Sequence, residues 1–303
     1  MKKQSKGVKD RPRISGKDFN QYKYFRPKSK KELIRIINGF QEDLTIIAGG
    51  TDLLVANYQK LYEIKNWLDL NLLDELKNIK MFDDKVEIGS MVTHQRLSKL
   101  DQIKELFPVL HQAAADVGSP QIRSRGTIGG NIVTSSPAGD LLPPLLIYDA
   151  KLKIISGEGS RVVDANEFFT GPKKNILKKG EILEKIIIPL KEDIYKGAWI
   201  KVGKRKALII SSISLALNLS MDRSNLIKKA RICIGSAAPV PLRIKTAEQA
   251  ILKEELTKIN IEEVAQIVSE KISPIDDIRG TAKYRRQVAL NITRKALSEV
   301  MNQ

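Results

Sequence analysis

One stretch constrains this chain more than any other. Residues 123–140 read Arg123-Ser-Arg-Gly-Thr-Ile-Gly-Gly-Asn-Ile-Val-Thr-Ser-Ser-Pro-Ala-Gly-Asp140, and they precede the apolar run of residues 141–147. Four glycines among small hydroxyl residues, one Asn and one carboxylate read as a loop-rich segment. Such a composition arises where backbone must approach something so closely that side chains would obstruct it. The segment Thr45-Ile-Ile-Ala-Gly-Gly-Thr-Asp-Leu-Leu54 repeats the chemistry on a smaller scale. Two loops of this kind in one chain imply two jaws on a single elongated, phosphate-bearing ligand.

Around these loops the patterning is mixed. Ser29-Lys-Lys-Glu32 resembles a capping box opening a helix with Leu33, Ile36, Ile37 and Phe40 on one face. Residues 45–48 predict a short buried strand running into Gly49-Gly50, with a helix over 53–61. That order aims backbone N–H groups at an anion. Further strands are expected at 67–70, 86–89, 150–155 and 182–188, with helices from His94 and over 107–117. Past Pro189 and Lys191-Glu-Asp193, strands at 198–202, 212–218 and 229–235 and helices at 248–252, 261–272 and 284–301 suggest a second unit. Short strands mixed with helices, without regular alternation, favour α+β over a doubly wound sheet. The expected division is a basic arm at 1–20, a ligand-binding domain at 21–190 with subdomains of about 21–75 and 76–190, and a C-terminal domain at 195–303.

Composition excludes several classes. No apolar run reaches the roughly 18 residues a membrane helix needs, and Met1-Lys-Lys-Gln-Ser-Lys lacks the apolar region of a secretory signal. The single Cys233 excludes an internal disulfide and any cysteine-based metal or iron–sulfur site. Two distant histidines, His94 and His111, argue against a protein-held transition metal and read as surface or capping residues. The cytoplasm is the expected location. The net charge is +17. Residues 1–20 hold seven Lys/Arg against Asp10 and Asp18, a local +5, and the remaining +12 is interspersed with acids as on a solvated surface. Aromatic residues are 5% of the chain, too few for a platform that stacks single-stranded bases. This balance argues against a nucleic-acid groove.

In Ala48-Gly-Gly-Thr-Asp52 the functional reading is a pyrophosphate cradle, with Thr51 adding a hydroxyl donor. In Gly126-Thr-Ile-Gly-Gly-Asn131 the same logic applies, with Thr127 and Asn131 as polar partners. Asp140 has two readings of equal weight: acceptor for ribose hydroxyls, or cap of a helix starting near Leu141. Trp199 is either core or a ring stacked on the ligand. Neither loop fits Gly-x-Gly-x-x-Gly, and no P-loop is present. No Ser/His/Asp arrangement or carboxylate pair suggests hydrolysis.

Taken with Ile88-Gly-Ser-Met-Val-Thr93, Tyr148-Asp-Ala-Lys-Leu152, Gly180-Glu-Ile-Leu183, Lys201-Val-Gly-Lys-Arg-Lys-Ala207, Ala238-Pro-Val-Pro241 and Arg279-Gly-Thr-Ala-Lys-Tyr-Arg-Arg286, these loops resemble the FAD-binding medium subunit of the molybdenum hydroxylases, the xanthine dehydrogenase and carbon monoxide dehydrogenase family. The resemblance runs from about Tyr22 to the C-terminus. It implies a p-cresol methylhydroxylase-type FAD fold of two α+β subdomains, then a C-terminal domain built on a three-stranded antiparallel sheet with helices. It implies that Thr45, Ile46, Ile47, Ala48, Gly49, Gly50, Thr51, Asp52 and Leu53 hold the FAD pyrophosphate. Thr127, Ile128, Gly129, Gly130 and Asn131 would form the second phosphate and flavin wall. Asp140 would take the ribose, Leu183 the adenine side, and Lys201 would reach the flavin region. No catalytic residue or metal ligand is implied on this chain. The implied partners are a molybdopterin-binding large subunit and a [2Fe–2S] small subunit, with NAD⁺ as expected electron acceptor. A basic nucleotide- or nucleic-acid-binding module without redox activity is the alternative, and a self-sufficient flavin oxidase is a weaker third.

Overall fold

The computed structural model describes residues 22–40, 43–59, 61, 64–190, 194–203 and 210–303. The basic arm expected at 1–20 and most of the motif at 201–207 lie outside the described residues. At the N-terminal end, β1 (Lys23–Phe25), α1 (Lys30–Gly39), β2 (Thr45–Ile47), α2 (Leu53–Tyr58) and β3 (Asn66–Asp69) form a small parallel sheet of order β1-β3-β2. Helix α1 starts where the sequence predicts it. The Ser29 side chain accepts from the Glu32 N–H at 3.3 Å, and Leu33 is fully buried beneath the sheet. Burying each such aliphatic side chain contributes about 1.5–3 kcal/mol.

The next layer is an antiparallel five-stranded sheet of order β4-β5-β10-β6-β7, built from β4 (Ile79–Met81), β5 (Lys85–Gly89), β6 (Lys151–Ser156), β7 (Gly159–Asp164) and β10 (Ile182–Pro189). Between β5 and β6 the chain is helical: α3 (His94–Leu97), α4 (Asp101–Leu106), α5 (Pro108–Ala115), α6 (Pro120–Arg125), α7 (Ile128–Thr134) and α8 (Leu142–Ile147). After β7 come α9 (Ala165–Phe168) and the two-stranded ribbon β8 (Phe169–Gly171) and β9 (Lys174–Asn175). Val86, Ile88, Leu152, Ile154, Ile186 and Ile188 from the sheet pack on Leu110, Ile128, Ile132 and Leu145 from the helices in one continuous core.

The stretch 123–140 is therefore helical over 123–125 and 128–134 and loop only at 126–127 and 135–140, less loop than its composition suggests. Ser119 and Thr127 cap α6 and α7 through their hydroxyls, accepting from the Ile122 and Gly130 N–H groups. Tertiary contacts to both helices outweigh the poor helix propensity of glycine.

The third layer is β11 (Ile194–Val202), β12 (Ile213–Met221), β13 (Ile227–Gly235) and the two-residue β14 (Leu242–Arg243), an antiparallel sheet of three long strands and one short one. Helices α10 (Lys245–Ala250), α11 (Ile261–Lys271) and α12 (Ala282–Met301) complete it. Every residue of β12 is buried, because both of its faces are covered. Its larger side chains, Ile213, Leu215, Leu217, Leu219 and Met221, face α11 and α12. Ala216 on the other face joins Trp199 and Cys233 in the core of the five-stranded layer. Period-2 alternation thus selects which neighbour each face meets. Small residues on the second face let the C-terminal sheet lie directly against α5 and α8.

Candidate functional site

The first jaw is the turn at residues 48–52 between β2 and α2. Among the described residues, the N–H groups of Gly49, Gly50, Thr51 and Asp52 have no acceptor, while the Ala48 carbonyl accepts from Asn71 Nδ2 at 2.9 Å. Gly50 has φ +75°, open to glycine at no cost. Behind the turn, Asp69 is buried and fully engaged. Its Oδ1 accepts from the Asn71 N–H at 2.8 Å and Nδ2 at 2.6 Å, and its Oδ2 from the Tyr24 hydroxyl, with Arg26 Nε at 3.2 Å. Burial alone would raise the Asp69 carboxyl. The hydrogen bonds from Tyr24 and Asn71 and the Arg26 charge outweigh it and hold the group below the usual carboxylate range.

The second jaw meets the first directly. A Cβ on Gly49 would lie 2.1 Å from the Arg125 carbonyl oxygen and 2.9 Å from Gly126 Cα, so the two glycine segments touch backbone to backbone. Loop 90–93 holds the second jaw from behind. The Ile128 N–H donates to Val92 O and the Gly129 N–H to Ser90 O, both at 2.9 Å, and Gly129 packs on Ser90 where a Cβ would be 2.6 Å away. With the Gly130 N–H taken by Thr127, the first three amides of α7 are all committed. The two loops are thus chemically different. The first offers free donors, and the second offers shape and acceptors. A Cβ on Gly130 would meet only Thr127 Oγ1, at 3.1 Å, and otherwise open space, while Asn131 Oδ1 is buried without a partner.

Asp140 follows on the same segment. It caps nothing: α8 begins after Leu141 with no side-chain cap, which removes the capping alternative. Instead Asp140 is 7% exposed and its Oδ2 accepts from Lys201 Nζ at 2.6 Å, while Oδ1 is buried with no partner. Burial pushes its carboxyl up to about 6, although the Lys201 ammonium pulls it down. Lys201 arrives from β11 and also donates to the Asp116 carbonyl at 2.9 Å, so a C-terminal strand completes this side. Trp199, two residues earlier, is core: it is 8% exposed and its Nε1 donates to Asp116 Oδ2 at 2.9 Å.

Of the remaining expected residues, Thr45, Ile46 and Ile47 form β2 and Leu53 opens α2. Ile128 and Leu183 point into the core, at 0% and 3% exposure. Leu183 nevertheless precedes Glu184, whose carbonyl accepts from the Ser90 N–H at 3.0 Å, one step from the contact seating α7. His94 corrects an expectation. It is buried at 3%, not on the surface, and Thr93 is the residue that caps α3. Its backbone N–H donates to Gly126 O and its ring lies where a Gly126 Cβ would be 3.0 Å away. Burial, with Arg123 nearby, lowers its pKa to about 4, so the ring is a neutral wedge behind the junction of the jaws. Arg123 itself ties down the preceding turn through Val117 O and Gly118 O. Sequence reasoning gave no role to Asn71, Asp69 and Asp116, and named Ser90 only within the motif at 88–93. Asp69-x-Asn71 also carried a signal, as an Asx turn ending a strand.

Free amides on one jaw, an open glycine face on the other, and two buried acceptors without partners, Asn131 Oδ1 and Asp140 Oδ1, suit a ligand that brings phosphates and hydroxyls. A parallel βαβ unit, an antiparallel α/β layer and a covered C-terminal sheet thus carry a site with the chemistry of a nucleotide-binding protein. Residues 18–191 match the FAD binding domain in molybdopterin dehydrogenase and residues 198–300 the CO dehydrogenase flavoprotein C-terminal domain. The chain belongs to the FAD-binding subunits of the molybdenum hydroxylase family. It is 31% identical to the glyceraldehyde dehydrogenase medium chain of Sulfolobus acidocaldarius, over 92% of this chain and 98% of that one. It is 33% identical to the xanthine dehydrogenase FAD-binding subunit of Escherichia coli O157:H7, over 84% and 88%. Among solved structures, a carbon monoxide dehydrogenase from Hydrogenophaga pseudoflava superposes with a TM-score of 0.87 at 28% identity, covering 92% of this chain and 97% of that one. No helix of the described residues is long and apolar enough to cross a membrane.

Proposed function

We propose that this chain is the electron-transfer flavoprotein subunit of a multi-subunit molybdenum hydroxylase. Electrons from a substrate oxidised on a molybdopterin-binding large subunit reach FAD here through the [2Fe–2S] clusters of a small subunit, and pass to NAD⁺. Relatives named as medium chains and FAD-binding subunits of dehydrogenases support this reading. The observation that carries it is the contact of the two jaws at Gly49 and Arg125–Gly126, with free amides on one side and an open glycine face on the other. The bound isoalloxazine supplies the two-electron and one-electron redox chemistry.

The protein's part is binding and electrostatics. The amides of Gly49 to Asp52, with the Thr51 hydroxyl, hold the pyrophosphate. Thr127, Gly129, Gly130 and Asn131 form the facing wall, and the free Oδ1 of Asp140 accepts ribose hydroxyls while Lys201 holds Oδ2. Lys201, paired with Asp140, orients that carboxylate and brings the site no net charge of its own. No acid or base of this chain is required, in keeping with the absence of such a constellation in its sequence.

The test is reconstitution followed by reduction. The purified chain, incubated with FAD and desalted, retains the visible flavin band, and anaerobic NADH bleaches it. No uptake of FAD by folded protein refutes the cradle. Uptake without bleaching refutes NAD⁺ as acceptor and leaves the cradle standing. Co-purification from the native source with a molybdenum chain and an iron–sulfur chain tests the partners.

A further inference from the structure

The first jaw has a problem that its glycines create. Gly49 and Gly50 let the backbone approach a phosphate, but they also let the peptides between them rotate. A loop of this kind binds well only if something outside it fixes which way each amide points, since ordering it on binding costs affinity. The Ala48–Gly49 peptide is the critical one. It is trans, so its C=O and N–H point in opposite directions. Whatever holds the Ala48 carbonyl therefore also aims the Gly49 N–H.

Asn71 Nδ2 holds that carbonyl at 2.9 Å, from the end of β3. The same nitrogen donates to Asp69 Oδ1 at 2.6 Å. Because both partners can only accept, this terminal atom is the NH₂ and not the oxygen of the amide. Asp69 then fixes Asn71 twice, through its backbone N–H and its side chain, and is itself fixed by Tyr24 and Arg26 on Oδ2. Asp69 sits opposite Ile47 in the parallel pair, and the Leu70 N–H donates to Ile47 O at 3.1 Å, so the support grows from the strand next to the jaw. The Gly49 N–H, aimed away from Asn71, has no acceptor among the described residues.

We propose that Asn71, anchored by Asp69 and Tyr24, is a positioning residue that locks the Ala48–Gly49 peptide with its N–H presented to a phosphate of FAD. This rests on the flavoprotein reading above and assigns a role to residues that touch no ligand in it.

The experiment titrates the flavin-free full chain with FAD and, separately, with riboflavin, which has no phosphate, and records the thermal melt of each flavin-free variant. Asn71→Ala weakens FAD about tenfold, the scale of one well-placed hydrogen bond, and changes riboflavin affinity less than twofold at an unchanged melting temperature. Tyr24→Phe, which leaves Asn71 in place and removes one anchor of Asp69, weakens FAD about threefold with the same indifference to riboflavin. It decides the matter should Asn71→Ala fail to fold. Equal losses for FAD and riboflavin, or none for FAD, overturn the proposal. A wild-type chain that takes up no FAD overturns the flavoprotein reading instead, before either variant is compared.

Discussion

Two single-methyl substitutions separate the structural glycine from the ligand-facing one. At Gly49 a Cβ would stand 2.1 Å from the Arg125 oxygen, 2.8 Å from its carbonyl carbon and 2.9 Å from Gly126 Cα. All three are backbone atoms, so no rotamer change relieves the clash and the jaws must separate. Overpacking of this kind costs about 1–3 kcal/mol. With about 2–4 °C of melting temperature per kcal/mol in domains of 150–250 residues, Gly49→Ala melts several degrees low without any ligand. At Gly130 the added methyl meets only Thr127 Oγ1 at 3.1 Å, in the first turn of a helix where alanine is favoured over glycine by up to about 1 kcal/mol. The flavin-free Gly130→Ala chain melts within a few degrees of the wild-type temperature, since the helix preference for alanine offsets a close contact with one hydroxyl, yet its affinity for FAD falls because the methyl occupies the open face. Scanning calorimetry of the flavin-free chains and fluorescence titration with FAD check both halves. Wild-type FAD affinity in Gly130→Ala refutes the cradle geometry, and wild-type melting in Gly49→Ala refutes the contact of the jaws.

Two further outcomes follow from charged groups buried near the site and beyond it. The Asp140 carboxyl is raised to about 6, so the stability it contributes is present near pH 4 and lost as pH rises through 6. The His94 ring is lowered to about 4, so its contribution is present above pH 6.5 and lost as pH falls through 4. Each group contributes about 3 kcal/mol, because moving a pKa by one on folding corresponds to about 1.36 kcal/mol, and the two slopes oppose one another. Urea denaturation of the flavin-free chain at pH 4.5 and pH 7 shows Asp140→Asn gaining stability with pH relative to wild type, and His94→Asn losing it. Parallel slopes in all three proteins refute the burial argument. In the C-terminal domain, Arg285 is 2% exposed within α12, paired to Asp277, and donates to Ser236 O at 3.4 Å. Arg285→Ala removes one partner of Asp277, which keeps its hydrogen bonds from Arg279. It leaves the Ser236 carbonyl without its donor and a buried side-chain volume unfilled, so it destabilises by about 1–3 kcal/mol, measured by denaturant unfolding. A loss below about 1 kcal/mol contradicts the pairing.

Elements with strong local signals were legible in the sequence. Ser29 capping α1, the strand–glycine–helix order around Gly49, and the helix expected at 284–301, which is α12, all follow from spacing that acts within a few residues. The extent of α6 and α7 was not legible. Glycine content there reads as loop, and the helices exist because Ser119 and Thr127 cap them and because Ser90 and Val92 accept the first amides of α7 from another part of the chain. His94 reads as a surface residue for the same reason: burial is a property of what packs above a residue, and Gly126 lies 32 positions further along the chain.

The sequence by itself set the expectation that two glycine-rich segments face an elongated phosphate ligand, showed that neither common dinucleotide motif is present, and determined that the chain would mix short strands with helices. These conclusions need only residue type and spacing, because glycine and small hydroxyls act through their own local geometry. Only the tertiary structure decided that the segments touch at Gly49 and Arg125, that just one of them keeps free amides, and that Asp140 meets Lys201 rather than capping a helix. It also placed Asn71 Nδ2 on the Ala48 carbonyl, at the first jaw. Each of these depends on which groups, far apart in the chain, compete for the same hydrogen bond once packing brings them within reach.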